Sequence, residues 1–124
     1  MWEALVFSTA ADIWGDIPYS QAANSNFAQP KFDTQKDIHD SMLSLIDSAI
    51  INFDKGQIYT LPIDFDFTFA ADIEKWKRAA YTLKSRIYLN WAEVENDNYS
   101  LALEAAEEGI MDESGSGDWK ALHG

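Results

Sequence analysis

Two aspartates at alternate positions are the residues of this sequence with the most direct chemical potential. The stretch PIDFDFT places Asp64 and Asp66 two positions apart. Paired carboxylates of this kind occur in calcium loops and in glycoside hydrolases. A calcium loop of the EF-hand type also needs further oxygen ligands, a glycine at its turn and a closing glutamate at fixed spacing, and that pattern does not follow here. We therefore favour an extended linker with Phe65, Phe67 and Phe69 on one face and solvated acids on the other.

The histidines and the serine-rich segment give no other reactive group. His39 and His123 are far apart in the sequence, and no His or Glu lies at the spacing of a metal pair. The segment DESGSGD, Asp112 to Asp118, predicts a flexible loop rather than a phosphate cradle, because no Lys-Ser or Lys-Thr pair closes it. No nucleophile stands with a base. We predict no enzyme activity, no metal site and no cofactor.

Composition indicates a folded chain and excludes several partners. The sequence has 124 residues, of which 47% are hydrophobic, and they fit a single domain. With 21 Asp and Glu against 9 Lys and Arg, its formal charge of -12 repels nucleic acid and anionic membrane surfaces. It contains no cysteine, and no apolar run approaches the roughly 20 residues of a membrane span. We predict no nucleic acid partner.

Apolar periodicity predicts two helices in the first half of the chain. Residues 1–13 form the first, with apolar side chains that include Leu5 and Phe7. The second begins after FDT, where Asp33 or Thr34 can cap it, and it continues until Gly56 offers a left-handed stop.

Two further helices are predicted in the second half, as an antiparallel pair. Asp72 caps the first, which continues to about Val94 and is apolar nearly all round in its second half, so we expect contacts on several sides. The second follows Asn98 and ends at Gly109. Small residues favour close approach of the two, as in tetratricopeptide-like hairpins: Ala79, Ala80 and Ala92 facing Ala102, Ala105 and Ala106. The first helix also carries most of the positive charge, which we expect to balance nearby acids: Lys75, Lys77, Arg78, Lys84 and Arg86.

The stretch DIWGDIPYSQA predicts an abrupt corner after the first helix. Gly15 supplies a residue that adopts left-handed backbone conformation, and Pro18 forbids continuation of the helix. Trp14 and Tyr19 flank this turn. They either fill the core or present aromatic faces to a ligand, and packing is the commoner role.

Three blocks of this sequence resemble one family. DIWGDIPYSQA, then FDTQKDIHDSMLSLIDSAI, then EKWKRAAYTLKSRIYLNWAEV are similar in order and spacing to the SusD/RagB family of outer-membrane nutrient-binding lipoproteins. The blocks span about residues 1–110. The resemblance implies an all-α fold of tetratricopeptide-like helical hairpins with extended loops between helices. It also implies a protein without catalysis that captures glycans or other nutrients beside a TonB-dependent, SusC-like transporter.

Members of that family are longer and begin with a signal peptide and a lipidated cysteine. We therefore expect residues 1–124 to be a fragment of a single SusD-like helical domain, from a parent that is lipid-anchored in the outer membrane. If the ligand is a glycan, aromatic faces should contact its sugar rings. Trp14, Tyr19 and Phe27 flank a loop and are the candidate ligand contacts.

A second function fits the predicted helices equally. A tetratricopeptide-like hairpin can serve as a protein–protein interaction module without a small-molecule ligand. Periodicity and composition indicate only helices that are compatible with both functions, and the resemblance favours nutrient binding.

Overall fold

The computed structural model describes residues 1–56 and 66–120. These residues form four α-helices: α1 Trp2–Trp14, α2 Gln35–Asp54, α3 Ile73–Trp91 and α4 Asn98–Glu107. Within the described ranges there is no strand, and Ile17 and Asp33 form one isolated antiparallel bridge. The all-α prediction is confirmed. No helix in these ranges combines the length and apolar character needed to cross a bilayer.

The chain divides into two compact units. The first comprises Met1–Asp47, and the second begins at Ser48, within α2. The assignment of residues 1–124 to a single SusD-like domain stays a prediction.

In the first unit, α1 buries a narrow face of small residues. Ala4, Ser8 and Ala11 are buried, and they follow the three- and four-residue spacing of one helix face. The helix ends where Gly15, at φ 76°, donates its backbone N–H to the Ala11 carbonyl at 2.8 Å. The predicted end of the helix at a glycine with positive φ is confirmed, although the ψ of Gly15, -122°, lies outside the left-handed helical region.

The start of α2 depends on a threonine. Thr34 Oγ1 accepts a hydrogen bond from the backbone N–H of Asp37 at 3.1 Å, so Thr34 is the capping residue and Asp33 is not. The helix then contributes Ile38, Met42 and Ile46 to the core of the first unit, all fully buried. At its end, Gly56 has φ 75°, as predicted.

In the second unit, α3 and α4 form the predicted antiparallel pair. Asp72 caps α3 by accepting the Lys75 backbone N–H at 3.1 Å. Ser85 Oγ donates to the Ala102 carbonyl at 2.8 Å. Small and aliphatic side chains fill the core of this unit, and the buried members on the two helices are Ala79, Ala80, Leu83, Ile87, Ala102 and Ala105.

The second half of α3 is covered in part within the described residues: Ile87 is buried, while Leu89 is 55% exposed and Val94 beyond the end of the helix is 67% exposed. The expected contacts on several sides of this helix stay a prediction.

One expectation about this unit is wrong. Phe67 and Phe69 do not share a face, because residues 67–71 form turns rather than an extended linker. Phe69 is buried and Phe67 is exposed. Phe65 lies outside the described residues.

Candidate functional site

Two short segments of the first unit are bonded together after α1, and we call them the corner: residues 15–21 and residues 31–35. Ile17 and Asp33 exchange backbone hydrogen bonds, with N–O distances of 3.2 and 3.0 Å. Asp16 Oδ1 accepts the backbone N–H of Gln35, the first residue of α2, at 2.9 Å. The corner therefore joins the chain that leaves α1 to the start of α2.

The carboxylate of Asp33 holds the corner from inside. Its Oδ2 accepts the backbone N–H groups of Tyr19 at 3.1 Å and Ser20 at 2.6 Å, while Oδ1 accepts the Ser20 hydroxyl at 2.8 Å. The Lys31 ammonium lies 3.0 Å from Oδ1. The Ser20 backbone bond, supported by the other donors and opposed by burial, holds the pKa of Asp33 well below its usual range. Asp33 is thus a buried anion with donors on both oxygens.

Of the three predicted ligand contacts, Tyr19 is the one whose ring and hydroxyl group both contact other residues of the first unit. Its ring packs edge-on against Phe7 at 4.8 Å between centroids, and its hydroxyl donates to Glu3 Oε1 at 2.8 Å. Burial, followed by the bond to Glu3 and its negative charge, raises the pKa of Tyr19 to about 12. Tyr19 therefore ties the corner to α1.

The other two predicted ligand contacts are open to solvent. Trp14, the last residue of α1, is 71% exposed, and Phe27 is 43% exposed. In the part of the chain that the structure describes, Tyr19 forms its ring contact with Phe7 rather than with Trp14 or Phe27. The structure does not join the three side chains into one aromatic cluster, and their role as ligand contacts stays a prediction.

Asp66 organises a turn. Its carboxylate accepts the backbone N–H groups of Thr68, Phe69 and Ala71 at 2.8–3.1 Å and the Trp76 indole N–H at 2.6 Å. Burial raises the pKa of Asp66, but these hydrogen bonds outweigh it and leave the pKa below its usual value. All its acceptor positions serve the fold, so the structure gives Asp66 a structural role. Asp64 lies outside the described residues.

His39 faces α1. The side chain is buried, and its Nε2 lies 2.9 Å from Asp12 Oδ1. Among residues 1–56 and 66–120, no group of three or more His, Asp or Glu side chains is placed to hold a metal ion. His123 lies outside these ranges.

The DESGSGD segment is a loop bonded to itself and to α3. Asp112 accepts the Ser114 backbone N–H at 2.8 Å and the Ser116 hydroxyl. The Lys75 ammonium donates to the Ser116 carbonyl at 3.0 Å. Elsewhere on α3, Lys77 pairs with Asp54 at 2.5 Å, as expected for a cation that balances an acid.

The importance of Asp33 was not apparent from the sequence. Its position before Thr34 makes Asp33 a candidate helix cap. The carboxylate instead accepts hydrogen bonds from Tyr19 and Ser20. A signal was nevertheless present, because the resemblance joins the Gly-Asp-Ile-Pro-Tyr-Ser element to the Phe-Asp-Thr element. The hydrogen bonds of Asp33 to Tyr19 and Ser20 now explain that association physically.

Comparison with known proteins places these features in a family. The model of the SusD-like family, described as starch-binding associating with outer membrane, matches residues 1–117. A SusD/RagB family protein from Bacteroides thetaiotaomicron VPI-5482 is similar in structure, with 30% identity and a TM-score of 0.76 over 90% of this chain and 24% of that one. A SusD-like protein from the same strain has 25% identity and a TM-score of 0.75, over 91% of this chain and 24% of that one.

A SusD homolog from Bacteroides ovatus ATCC 8483 is also similar, with 25% identity and a TM-score of 0.75 over 89% of this chain and 23% of that one. The chain thus spans about a quarter of the length of these solved structures. No curated protein matches it. Since the family model covers both segments of the corner and all four helices, the chain belongs to the SusD-like family.

Proposed function

We propose that the full-length protein binds a nutrient, most directly a glycan, at the outer membrane and passes it unchanged to a TonB-dependent, SusC-like transporter. The observation that carries this proposal is the match of residues 1–117 to a family described as starch-binding associating with outer membrane. We extend the proposal to a lipid anchor on the full-length protein, as the resemblance implies.

Three carboxylates that the fold holds by hydrogen bonds are unsuited to hydrolysis. Glycoside hydrolysis needs one carboxylic acid and one carboxylate free to act across a glycosidic bond. Asp33, Asp66 and Asp112 instead accept hydrogen bonds from their own surroundings, and the pKa of each lies below its usual value. None of these three is suited to act as a general acid.

Exposed aromatic rings support a sugar ligand. Trp14 presents the larger open ring, and Phe27 a smaller one. Sugar rings pack their C–H faces on aromatic surfaces, so these two residues, with Tyr19 between them in sequence, stay our proposed ligand contacts. The affinity should be modest and insensitive to salt, because a neutral glycan has no charge to be screened.

The test combines co-purification and calorimetry on the full-length protein. We expect a TonB-dependent transporter to co-purify from outer membranes, and malto-, xylo- or manno-oligosaccharides to bind without release of reducing sugar. Trp14→Ala should weaken binding by roughly tenfold, the loss expected for a stacking ring worth about 1–1.5 kcal/mol. Phe67→Ala is the matched control, since Phe67 is another exposed ring, at 76%, and lies outside the corner.

Two possible results of this test lead to different conclusions about function. Unchanged affinity in the Trp14→Ala variant would leave nutrient binding standing and remove Trp14 from the proposed ligand contacts. Absence of both transporter and oligosaccharide binding would favour the protein–protein interaction module, for which the exposed Leu101 and Leu103 on α4 are the supporting observation.

A further inference from the structure

A cleft opens in the second unit between the start of α3 and the loop after α4. Its volume is about 310 Å³, and the residues that line it include Glu74, Lys75 and Arg78 from α3 and Met111 and Asp112 from the loop. Small-molecule pockets typically hold about 300–1,000 Å³, so this cleft suits a small ligand or one or two rings of a larger one.

Most charged groups in the cleft already have partners. Asp72 caps α3, Asp112 bonds to its own loop, and the Lys75 ammonium donates to the Ser116 carbonyl. These bonds fix the walls of the cleft, because they join the first turn of α3 to residues 112–116.

Glu74 and Arg78 are the exceptions. They lie one helical turn apart on α3, and both side chains are exposed. Among residues 1–56 and 66–120 neither side chain forms a hydrogen bond or an ion pair; Glu74 acts on Lys77 through its charge alone. The same cleft is therefore lined by a carboxylate and a guanidinium that have no side-chain partner within the described ranges.

This combination fits a hydroxyl-rich, uncharged ring. A carboxylate accepts hydrogen bonds from hydroxyl groups, and a guanidinium donates several to hydroxyl oxygens. Met111, at 67% exposure, offers an apolar wall for the C–H face of such a ring. The three carboxylates of the cleft, those of Asp72, Glu74 and Asp112, outnumber its two cations, which disfavours an anionic ligand.

We propose that this cleft is a subsite for one neutral sugar ring, with Glu74 and Arg78 bonding its hydroxyl groups and Met111 packing against its face. The inference rests on the proposed function and adds a second contact region, separate from Trp14, Tyr19 and Phe27. It lies within the second unit and uses none of the corner residues.

The test measures neutral oligosaccharide affinity in the full-length protein by calorimetry, with maltoheptaose, xylohexaose and mannohexaose as probes. Glu74→Gln combined with Arg78→Met should weaken binding of the best probe by at least about tenfold, because hydrogen bonds to charged groups are lost. Glu104→Gln with Lys55→Met is the matched control, since it removes the same two charges outside the cleft. Its affinity should stay within about twofold of wild type.

Each outcome decides one question. If wild type binds a probe and the cleft variant binds it equally well, the subsite is wrong and the proposed function stands. If wild type binds none of the probes, the glycan-binding proposal itself fails. Tighter binding of an oligogalacturonate than of any neutral probe would overturn the neutral class. Should the double variant unfold, Met111→Ser tests the same cleft, and unchanged affinity there overturns the subsite.

Discussion

Asp33 shows how a single carboxylate can hold a corner together. It is 7% exposed and receives hydrogen bonds from Tyr19, from Ser20 and from the Lys31 ammonium. Asn at this position would accept at one atom only and would place an amide N–H₂ against the other donors. We expect Asp33→Asn to lower Tm by roughly 5 °C or more, measured by circular dichroism at pH 7. Asp40→Asn, at an exposed surface pair with Lys36, is the control and should change Tm little.

The same substitution predicts a pH dependence with a definite sign. Because the folded pKa of Asp33 lies below the unfolded value of about 3.9, ionised Asp33 stabilises the fold at neutral pH. That contribution is lost as pH falls below about 4 toward the folded pKa, because the unfolded state binds the proton first. In urea unfolding, the difference between wild type and Asp33→Asn should therefore be constant from pH 7 to 5 and shrink below 4. A difference that grows in acid would contradict the role given to this carboxylate.

The sequence predicts the structural roles of some individual residues and not of others. Asp72 is predictable as a helix cap, and Thr34 as one of two candidate caps, because capping depends on neighbours two or three positions away. Asp33 is the other candidate for α2, and its actual bonds, to Tyr19 and Ser20, cross 14 and 13 positions of sequence. Its true role depends on the path of the chain between Ser20 and Lys31, which local patterns do not determine.

At the scale of the helices, the packing of α3 against α4 depends on a close approach between Thr82 and Gly109, just after the end of α4. Gly109 is buried, and a Cβ there would lie 2.7 Å from Thr82 Oγ1 and 3.0 Å from the Ala106 carbonyl oxygen. The Thr82 hydroxyl cannot move freely, because it accepts the Ile110 backbone N–H at 2.9 Å and donates to the Arg78 carbonyl at 3.0 Å. We expect Gly109→Ala to destabilise the protein by about 1–3 kcal/mol in chemical unfolding.

Gly117→Ala is the matched control for that prediction. The nearest atoms to a Cβ at Gly117 lie 3.6 Å away, which is ordinary van der Waals contact. Its unfolding free energy should stay within about 0.5 kcal/mol of wild type. If both substitutions lower the unfolding free energy equally, the close approach between Gly109 and Thr82 is not the cause of the loss of stability.

The existence and ends of these helices were predictable, and their exposed faces were not. Periodicity and end signals such as Gly15 and Gly56 are local, and both glycines end a helix in the structure. Whether Leu89 or Leu103 is covered depends instead on which elements pack nearby. Both are exposed here, although their spacing predicts an apolar face.

For the molecule as a whole, each unit exposes large apolar side chains beside a small core. In the first unit, Trp2, Val6 and Ile13 lie on the face of α1 opposite Ala4 and Ala11, and they are 54–64% exposed. In the second unit, α3, α4 and the residues that follow them leave several more exposed: Leu89, Val94, Leu101, Leu103 and Met111. Exposed apolar surface of this kind attracts other apolar molecules, including other copies of the chain.

We therefore expect the 124-residue chain by itself to bind a hydrophobic dye and to unfold over a broad temperature range. Val6→Gln with Ile13→Gln should lower dye binding in part without lowering the unfolding midpoint, because both side chains face solvent. Ala4→Gln with Ala11→Gln is the contrasting variant; it places amides on the buried face and should unfold the first unit. A sharp transition in a soluble monomer that binds no dye would show that the exposed apolar residues need no partner.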